Sequence, residues 1–196
     1  MKPILFNTEM VCAILDGRKT VTRRVVKPQY GGALEVHDDV GGVASLCERC
    51  GSLCKGLKPP YRPGDILYVR ETWAAWSPTY GMAPELHYKA NGENLPGLKW
   101  RPSIHMPREA ARLFLRVTDV RVEQLQNITP EECISEGLSR EPLDEVGGVF
   151  IRGMYADLWD STIKPADHDL YGWDANPWVW VIQFERISKE EVLTNG

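Results

Sequence analysis

The chemistry-bearing residues cluster in Asp16-Gly17-Arg18-Lys19-Thr20-Val21-Thr22-Arg23-Arg24. Gly17 is a natural helix stop, because it adopts positive φ without a Cβ clash. The residues after it, from Thr20 to Val26, are mostly strand formers. Side chains alternate along a strand, which puts Thr20, Thr22 and Arg24 on one side, with Lys19 at the turn before them. Hydroxyls, an amine and a guanidinium thus share a small region. A polar site and a solvated basic surface are both open readings of that cluster.

A carboxylate far along the chain belongs to the same question. Ile128–Gly137 reads as a short helix with Thr129 as N-cap, Pro130 at the first helical position, Glu132 completing a capping box and Gly137 as the stop. Glu131 and Glu132 suit the positive end of the helix dipole. Glu136 lies at the negative end and calls for a cation from outside the helix; Lys19 is the candidate. The plain alternative is an exposed glutamate tolerating a small penalty.

A second kind of chemistry sits in Cys47-Glu48-Arg49-Cys50-Gly51-Ser52-Leu53-Cys54. The Cys-x2-Cys spacing fits tetrahedral zinc, Cys54 follows closely, and His37 is the nearest candidate for a fourth ligand. A metal held by such thiolates is structural, because they leave no open position. Three free thiols in a loop are the alternative. The surrounding 30–60 segment is rich in Gly, poor in large apolar residues, and reads as an inserted ribbon that needs a staple.

The elements that must position these groups are readable along the chain. With 196 residues and 43% hydrophobic content, the sequence suits one domain over 1–190 with a sizeable core, plus a tail at 188–196. Lys2–Phe6 is a first strand, and Thr8 a cap for the helix carrying Met10, Val11, Ile14 and Leu15. Ile66–Trp73 is a strand ending in the adjacent Arg70 and Glu71, whose plain reading is a surface ion pair. Leu86–Ala90 is another strand, Trp100–Arg108 a loop held open by prolines, and Arg112–Glu123 a long strand region. Val149–Asp160 is an amphipathic helix. His168 and Asp169 lie in a polar loop. Trp178–Glu185 is the last strand, with Trp178, Trp180, Ile182 and Phe184 on its core face.

Net charge is -4, so a whole-surface nucleic-acid binder is excluded; any such contact is local, or the ligand is small. No apolar run is long enough to span a bilayer, and Met1-Lys2-Pro3 opens no signal-peptide pattern. A cytoplasmic protein without a membrane partner is expected. Five cysteines cannot all pair within one chain, and in a reducing compartment thiols or metal ligands are expected.

The set Leu15–Arg24, Pro63-Gly64-Asp65 and the helix ending Glu136-Gly137 resembles the ASCH domain. Lys2–Asn7, Val69–Trp73, Lys99–Pro107 and Asn176–Trp180 resemble its prophage-associated branch. The resemblance implies a mixed α+β, PUA-like fold: a small β-barrel with flanking helices. It also implies two functions. ASCH domains are RNA-associated modules, and one branch hydrolyses N4-acetylcytidine with a threonine nucleophile, a lysine base and a glutamate. Matched by motif, these fall on Thr22, Lys19 and Glu136.

That chemistry sets physical requirements. A threonine hydroxyl attacks only when a base takes its proton. A lysine is such a base only if burial or nearby cations lower its pKa. The oxyanion needs donors, for which Arg24 or a backbone N–H near Gly17 is a candidate, and a pyrimidine wants an aromatic surface, for which Trp73 and Trp100 are candidates. The expected site is a nucleoside or RNA pocket lined by Lys19, Thr20, Thr22, Arg24, Glu71, Trp73, Trp100 and Glu136, needing no catalytic cofactor. The alternatives are a non-catalytic RNA-binding module, in which Arg18, Lys19, Arg23 and Arg24 contact phosphates, and a protein-interaction module built on the Cys47–Cys54 insertion.

Overall fold

The structure, a computed structural model, describes residues 1–27, 45–46, 53–54, 58–77, 83–92, 97–139 and 148–194. Its strands are β1 (Lys2–Leu5), β2 (Val21–Val25), β3 (Ser45–Leu46), β4 (Leu53–Cys54), β5 (Ile66–Arg70), β6 (Trp73–Trp76), β7 (Glu85–Tyr88), β8 (Phe114–Gln124) and β9 (Trp178–Ile187). The helices are α1 (Thr8–Leu15), α2 (Pro130–Ser135), α3 (Gly148–Thr162), α4 (His168–Tyr171) and α5 (Lys189–Thr194). The class is mixed α+β, as expected. The main sheet has strand order β1-β5-β8-β9-β2, and β3-β4 and β6-β7 are separate antiparallel pairs. Among the described residues β1 and β2 are the two ends of that order, and no closed barrel is found.

The chain divides into two compact units: 1–18, 64–117 and 185–196 form the first, and 19–63 with 118–184 form the second. In the first unit, β1 runs parallel to β5, with Ile4 opposite Val69, and β5 runs antiparallel to β8. The cap of α1 is Asn7 rather than Thr8: Asn7 is extended, and its side-chain oxygen accepts the Met10 N–H at 2.8 Å. The helix therefore starts one residue earlier than the apolar pattern alone suggests. The strand read as Ile66–Trp73 is broken at Arg70, and Trp73 opens β6, paired with β7. Trp73, Met106, Phe114, Ile187 and Val192 form a buried cluster.

The presence of Val192 in that cluster corrects the reading of 188–196 as a tail. The Ser188 hydroxyl accepts the Glu191 N–H at 3.2 Å, and the Glu191 carboxylate accepts the Ser188 N–H at 2.8 Å. Ser-x-x-Glu is a reciprocal cap that the sequence displays, and it starts α5. The segment around His168 is likewise helical, as α4 after a 3-10 turn at Pro165–Asp167.

In the second unit, β2 and β9 are antiparallel, with Thr22 opposite Ile182 and Arg24 opposite Trp180. Val21, Val179, Val181, Leu125, Ile128, Ile151 and Tyr155 build its core. Over Val179–Ile182 both faces of β9 are buried, Val179 and Val181 as fully as Trp180 and Ile182, while Gln183 and Glu185 beyond them are exposed. The sequence reading assigned only the tryptophan face to the core. Strands covered on both sides lose the alternation that marks a half-exposed one. Among the described residues no helix is long and apolar enough to cross a membrane.

Helices α1 and α2 end alike. Gly17 (φ +74) donates to the Ile14 carbonyl and Arg18 to Ala13; Gly137 (φ +108) donates to Ile134 and Leu138 to Cys133. This double return satisfies carbonyls that a helix end leaves open, and it needs a left-handed residue. A Cβ at Gly17 would meet nothing within 4 Å, so the only penalty there is conformational. Gly17→Ala is expected to lower stability by about 1 kcal/mol in urea unfolding, and Gly17→Asn by less. An alanine variant as stable as the parent would refute that account of the helix exit.

Candidate functional site

Lys19 precedes β2 and is held there by backbone. The Thr20 N–H donates to the Ser135 carbonyl at 2.9 Å, and the Thr20 carbonyl accepts the Phe184 N–H at 2.9 Å. The β2–β9 ladder thus extends to Thr20 and docks against the C-terminal turn of α2. That docking carries the Lys19 amine to Glu136. Nζ donates to Glu136 Oε2 at 2.7 Å, to the Glu136 carbonyl at 2.7 Å and to the Val21 carbonyl at 2.9 Å. The cation sits where the helix exposes unsatisfied carbonyls and negative potential. Glu136 therefore takes the partner expected from the sequence, and it does so in the interior: Lys19 is 3% exposed and Glu136 4%.

The other Glu136 oxygen has its own partners. Oε1 accepts from Arg23 Nη1 at 3.3 Å and from the Tyr155 hydroxyl at 3.3 Å. Arg23 also donates from Nη2 to Glu123 at 2.6 Å and to Glu132 at 2.8 Å, and Arg121 pairs with both of those glutamates. Arg23 has a fully buried side chain. It is therefore withdrawn from a surface phosphate, unlike the expectation that grouped it with Arg18, Lys19 and Arg24 as phosphate contacts; Lys19 is buried as well. Its register explains the burial. Arg23 alternates with Val21 and Val25, both part of the apolar cluster, so it points inward and must find its counter-ions there.

Thr22 is buried at 1% exposure, and its Oγ1 accepts from Arg24 Nη1 at 2.6 Å. Arg24 also donates to the Arg23 carbonyl at 2.8 Å. Lys19 lies just ahead of Thr22 along the chain. They are linked through the Val21 carbonyl, which belongs to the peptide carrying the Thr22 nitrogen. The side chain of Thr20 is exposed, although strand alternation alone would group it with Thr22.

Glu71, Trp73 and Trp100 belong to the first unit. Glu71 is 1% exposed and is paired not with Arg70 but with Arg112, whose Nε and Nη2 donate to its two oxygens at 2.9 and 3.0 Å. Arg112 also lies over the Tyr88 ring, 4.0 Å from its centroid. The surface ion pair read from Arg70-Glu71 is thus replaced by a buried, two-pronged one. The Trp73 ring is buried, with the Arg101 guanidinium 5.0 Å from its centroid, so one of its faces already has a cationic partner. Trp100 is half-buried. Of the zinc ligand set, His37, Cys47 and Cys50 lie outside the described residues, and Cys54 is described only as part of β4.

The electrostatics follow from these contacts. Burial pulls the Lys19 amine below the ordinary lysine pKa; Glu136 opposes this, and Arg24 and Arg23 add to it. Burial also works against the Arg23 charge, but Glu136, Tyr155 and Glu123 outweigh it and hold its pKa above the usual arginine value. Tyr155 is raised well above the usual phenol range, by burial first and by Glu136 second. Cys133 is pushed up to about 11 by burial. The sequence reading had Arg23 beside Lys19 in the motif but without its carboxylate partners, and it missed Tyr155, Glu123 and Glu132 as members of this cluster. For Arg23 the signal was a charge in register with core valines. For Tyr155 it was a hydroxyl on the apolar stripe of α3, which must find a buried partner.

No protein-family model matches the sequence, and no curated protein matches it. Among solved structures, the crystal structure of protein EF3133 from Enterococcus faecalis V583, family-model DUF984, is similar at 12% identity. That alignment covers 92% of this chain and 69% of that one, with a TM-score of 0.39.

The Glu136 cluster makes a stability prediction. Glu136→Leu leaves Lys19 and Arg23 buried without their shared carboxylate and is expected to cost about 3–5 kcal/mol in urea unfolding. The double variant Lys19→Met/Glu136→Leu should lose less than the sum of the two single changes, because the orphaned amine is gone. Additive losses would show that the two groups are energetically independent.

Proposed function

We propose that this chain is an ASCH-type, PUA-like module that removes the acyl group from an N4-acylated cytidine, as a nucleoside or derived from RNA, through Thr22, Lys19 and Glu136. The observation that carries the reading is the Lys19 amine. It is buried, its pKa is lowered, and it donates to the peptide that bears Thr22. A lowered pKa moves an amine toward the neutral form that a base requires and a solvated lysine lacks.

In the proposed reaction, neutral Lys19 takes the Thr22 hydroxyl proton as Oγ1 attacks the acyl carbonyl carbon. Arg24, already a donor at 2.6 Å from Oγ1, stabilises the charge that develops on the carbonyl oxygen. The intermediate breaks its carbon–nitrogen bond, the cytosine amine leaves with the proton from Lys19, and the acyl group remains as an ester on Thr22. A water molecule gives a proton to Lys19 and attacks the ester. Its carbonyl–Oγ1 bond breaks, Oγ1 takes the proton back, and the acyl group leaves as a carboxylic acid that gives its proton to solvent and becomes the carboxylate. Glu136 orients Lys19 throughout and shares its proton. The alternative phosphate-binding surface draws less support, because Arg23 is consumed by internal carboxylates and Lys19 by α2.

The test is release of cytidine from N4-acetylcytidine by the purified protein, followed by chromatography. Thr22→Ala and Lys19→Ala are each expected to lower the rate by about 100-fold or more. Below its midpoint Lys19 is charged and cannot accept a proton. The rate should therefore rise with pH through a midpoint lower than the ordinary lysine value of 10.5. Absence of turnover, together with RNA binding that weakens as salt is added, would replace this reading with the binding module.

A further inference from the structure

Arg23 is the group in this cluster that the reaction above does not use. Arginine is rarely buried without a demand for its charge. Its partners do not make that demand equally. The side chains of Glu123 and Glu132 are 17% and 25% exposed, so water reaches them, whereas that of Glu136 is 6% exposed and depends on protein donors. Replacing a buried ion cluster as a whole by apolar side chains is often neutral or better for stability, although removing one member alone is costly. A stability role alone therefore gives little reason for a guanidinium next to Val21 and Val25.

What the geometry does is divide the Glu136 carboxylate. Oε2 faces Lys19, while Oε1 is taken by Arg23 and the Tyr155 hydroxyl, each at 3.3 Å. We infer that Arg23 and Tyr155 are positioning residues: they hold Glu136 by Oε1, draw its charge away from Oε2, and so loosen the grip of Glu136 on the Lys19 proton. As a role in turnover this rests on the hydrolase reading; as a property of the Lys19–Glu136 pair it does not.

The groups around the pair are identified on each element that faces it. Among the described residues they are Arg23 and Arg24 on β2, Glu123 on β8, Glu132 and Cys133 on α2, and Tyr155 on α3, with Arg121 behind Glu123 and Glu132 and Arg152 acting on Cys133. Cys133 and Tyr155 both have raised values and remain neutral while Lys19 titrates. Arg24 and Arg23 both lower the Lys19 value, but Arg23 is the one that also holds Glu136 Oε1, so its charge is the one to vary.

The experiment follows the Lys19 side-chain NMR resonances against pH in the full chain, with assignment by their absence in Lys19→Met. Arg23→Met is expected to move the Lys19 midpoint to higher pH by about one unit. Arg23→Lys should restore part of the shift, because it keeps the charge but loses the fork, and Tyr155→Phe should move the midpoint the same way by less. Where turnover is measurable, the rising limb of the pH–rate profile should move by the same amount. If Arg23→Met does not fold, Arg23→Lys and Tyr155→Phe decide the matter. A midpoint unmoved in the folded variants, with only stability reduced, would overturn the inference and leave Arg23 a structural ion. A shifted midpoint in a protein without turnover would sustain the inference about the pair and sink the hydrolase reading.

Discussion

The second unit depends on one carboxylate shared between cations that water cannot reach. Removing a charge from water costs several kcal/mol even after the protein relaxes. Lys19, Arg23 and Glu136 therefore satisfy one another or none is tolerable where it stands. Lys19 occupies one carboxylate oxygen, and Arg23 and Tyr155 the other. Those residues come from the approach to β2, from β2 itself, from the end of α2 and from α3. The cluster is thus a tie between elements distant in sequence, and it constrains all of them to one arrangement.

Backbone geometry prepares that tie before any side chain is counted. Helix α2 is too short to be stable alone, since helix initiation is costly and few bonds repay it. It is closed at its start by the reciprocal Thr129–Glu132 cap and at its end by the Gly137 return. The carbonyls that remain at its C-terminal end go to Lys19 and to the Thr20 N–H. Glu132 serves two purposes: it caps Thr129 and receives Arg23. The same capping interactions that define the helix also aim Glu136 inward.

The first unit solves a similar problem with a different balance. Glu71 is as deeply buried as any residue of the Glu136 cluster, but a single arginine meets both its oxygens. Arg112 is partly solvated and rests on the Tyr88 ring, so its charge is stabilised by water and by π-density as well as by the carboxylate. That pair is closed and complete. The Glu136 carboxylate is instead divided between Lys19 and Arg23, and Arg23 has Glu123 and Glu132 as further partners. This asymmetry is the physical reason to look for proton chemistry at Lys19 rather than at Glu71.

Local punctuation was legible in the sequence. The stops at Gly17 and Gly137, the Thr129 capping box, the strands flanking them and the need of Glu136 for a cation all follow from propensities acting over a few residues. Ser188-x-x-Glu191 was equally legible and shows that a terminal segment with a cap need not fray. What the sequence could not decide was which side chains are inside. Arg23 and Arg24 are adjacent arginines of the same type, yet one is enclosed by three glutamates and the other reaches Thr22, because strand register sends neighbours to opposite faces. Glu71 likewise chose Arg112 over its neighbour Arg70. Such choices turn on long-range pairing and on which face is sealed from water, and only the assembled tertiary structure sets those.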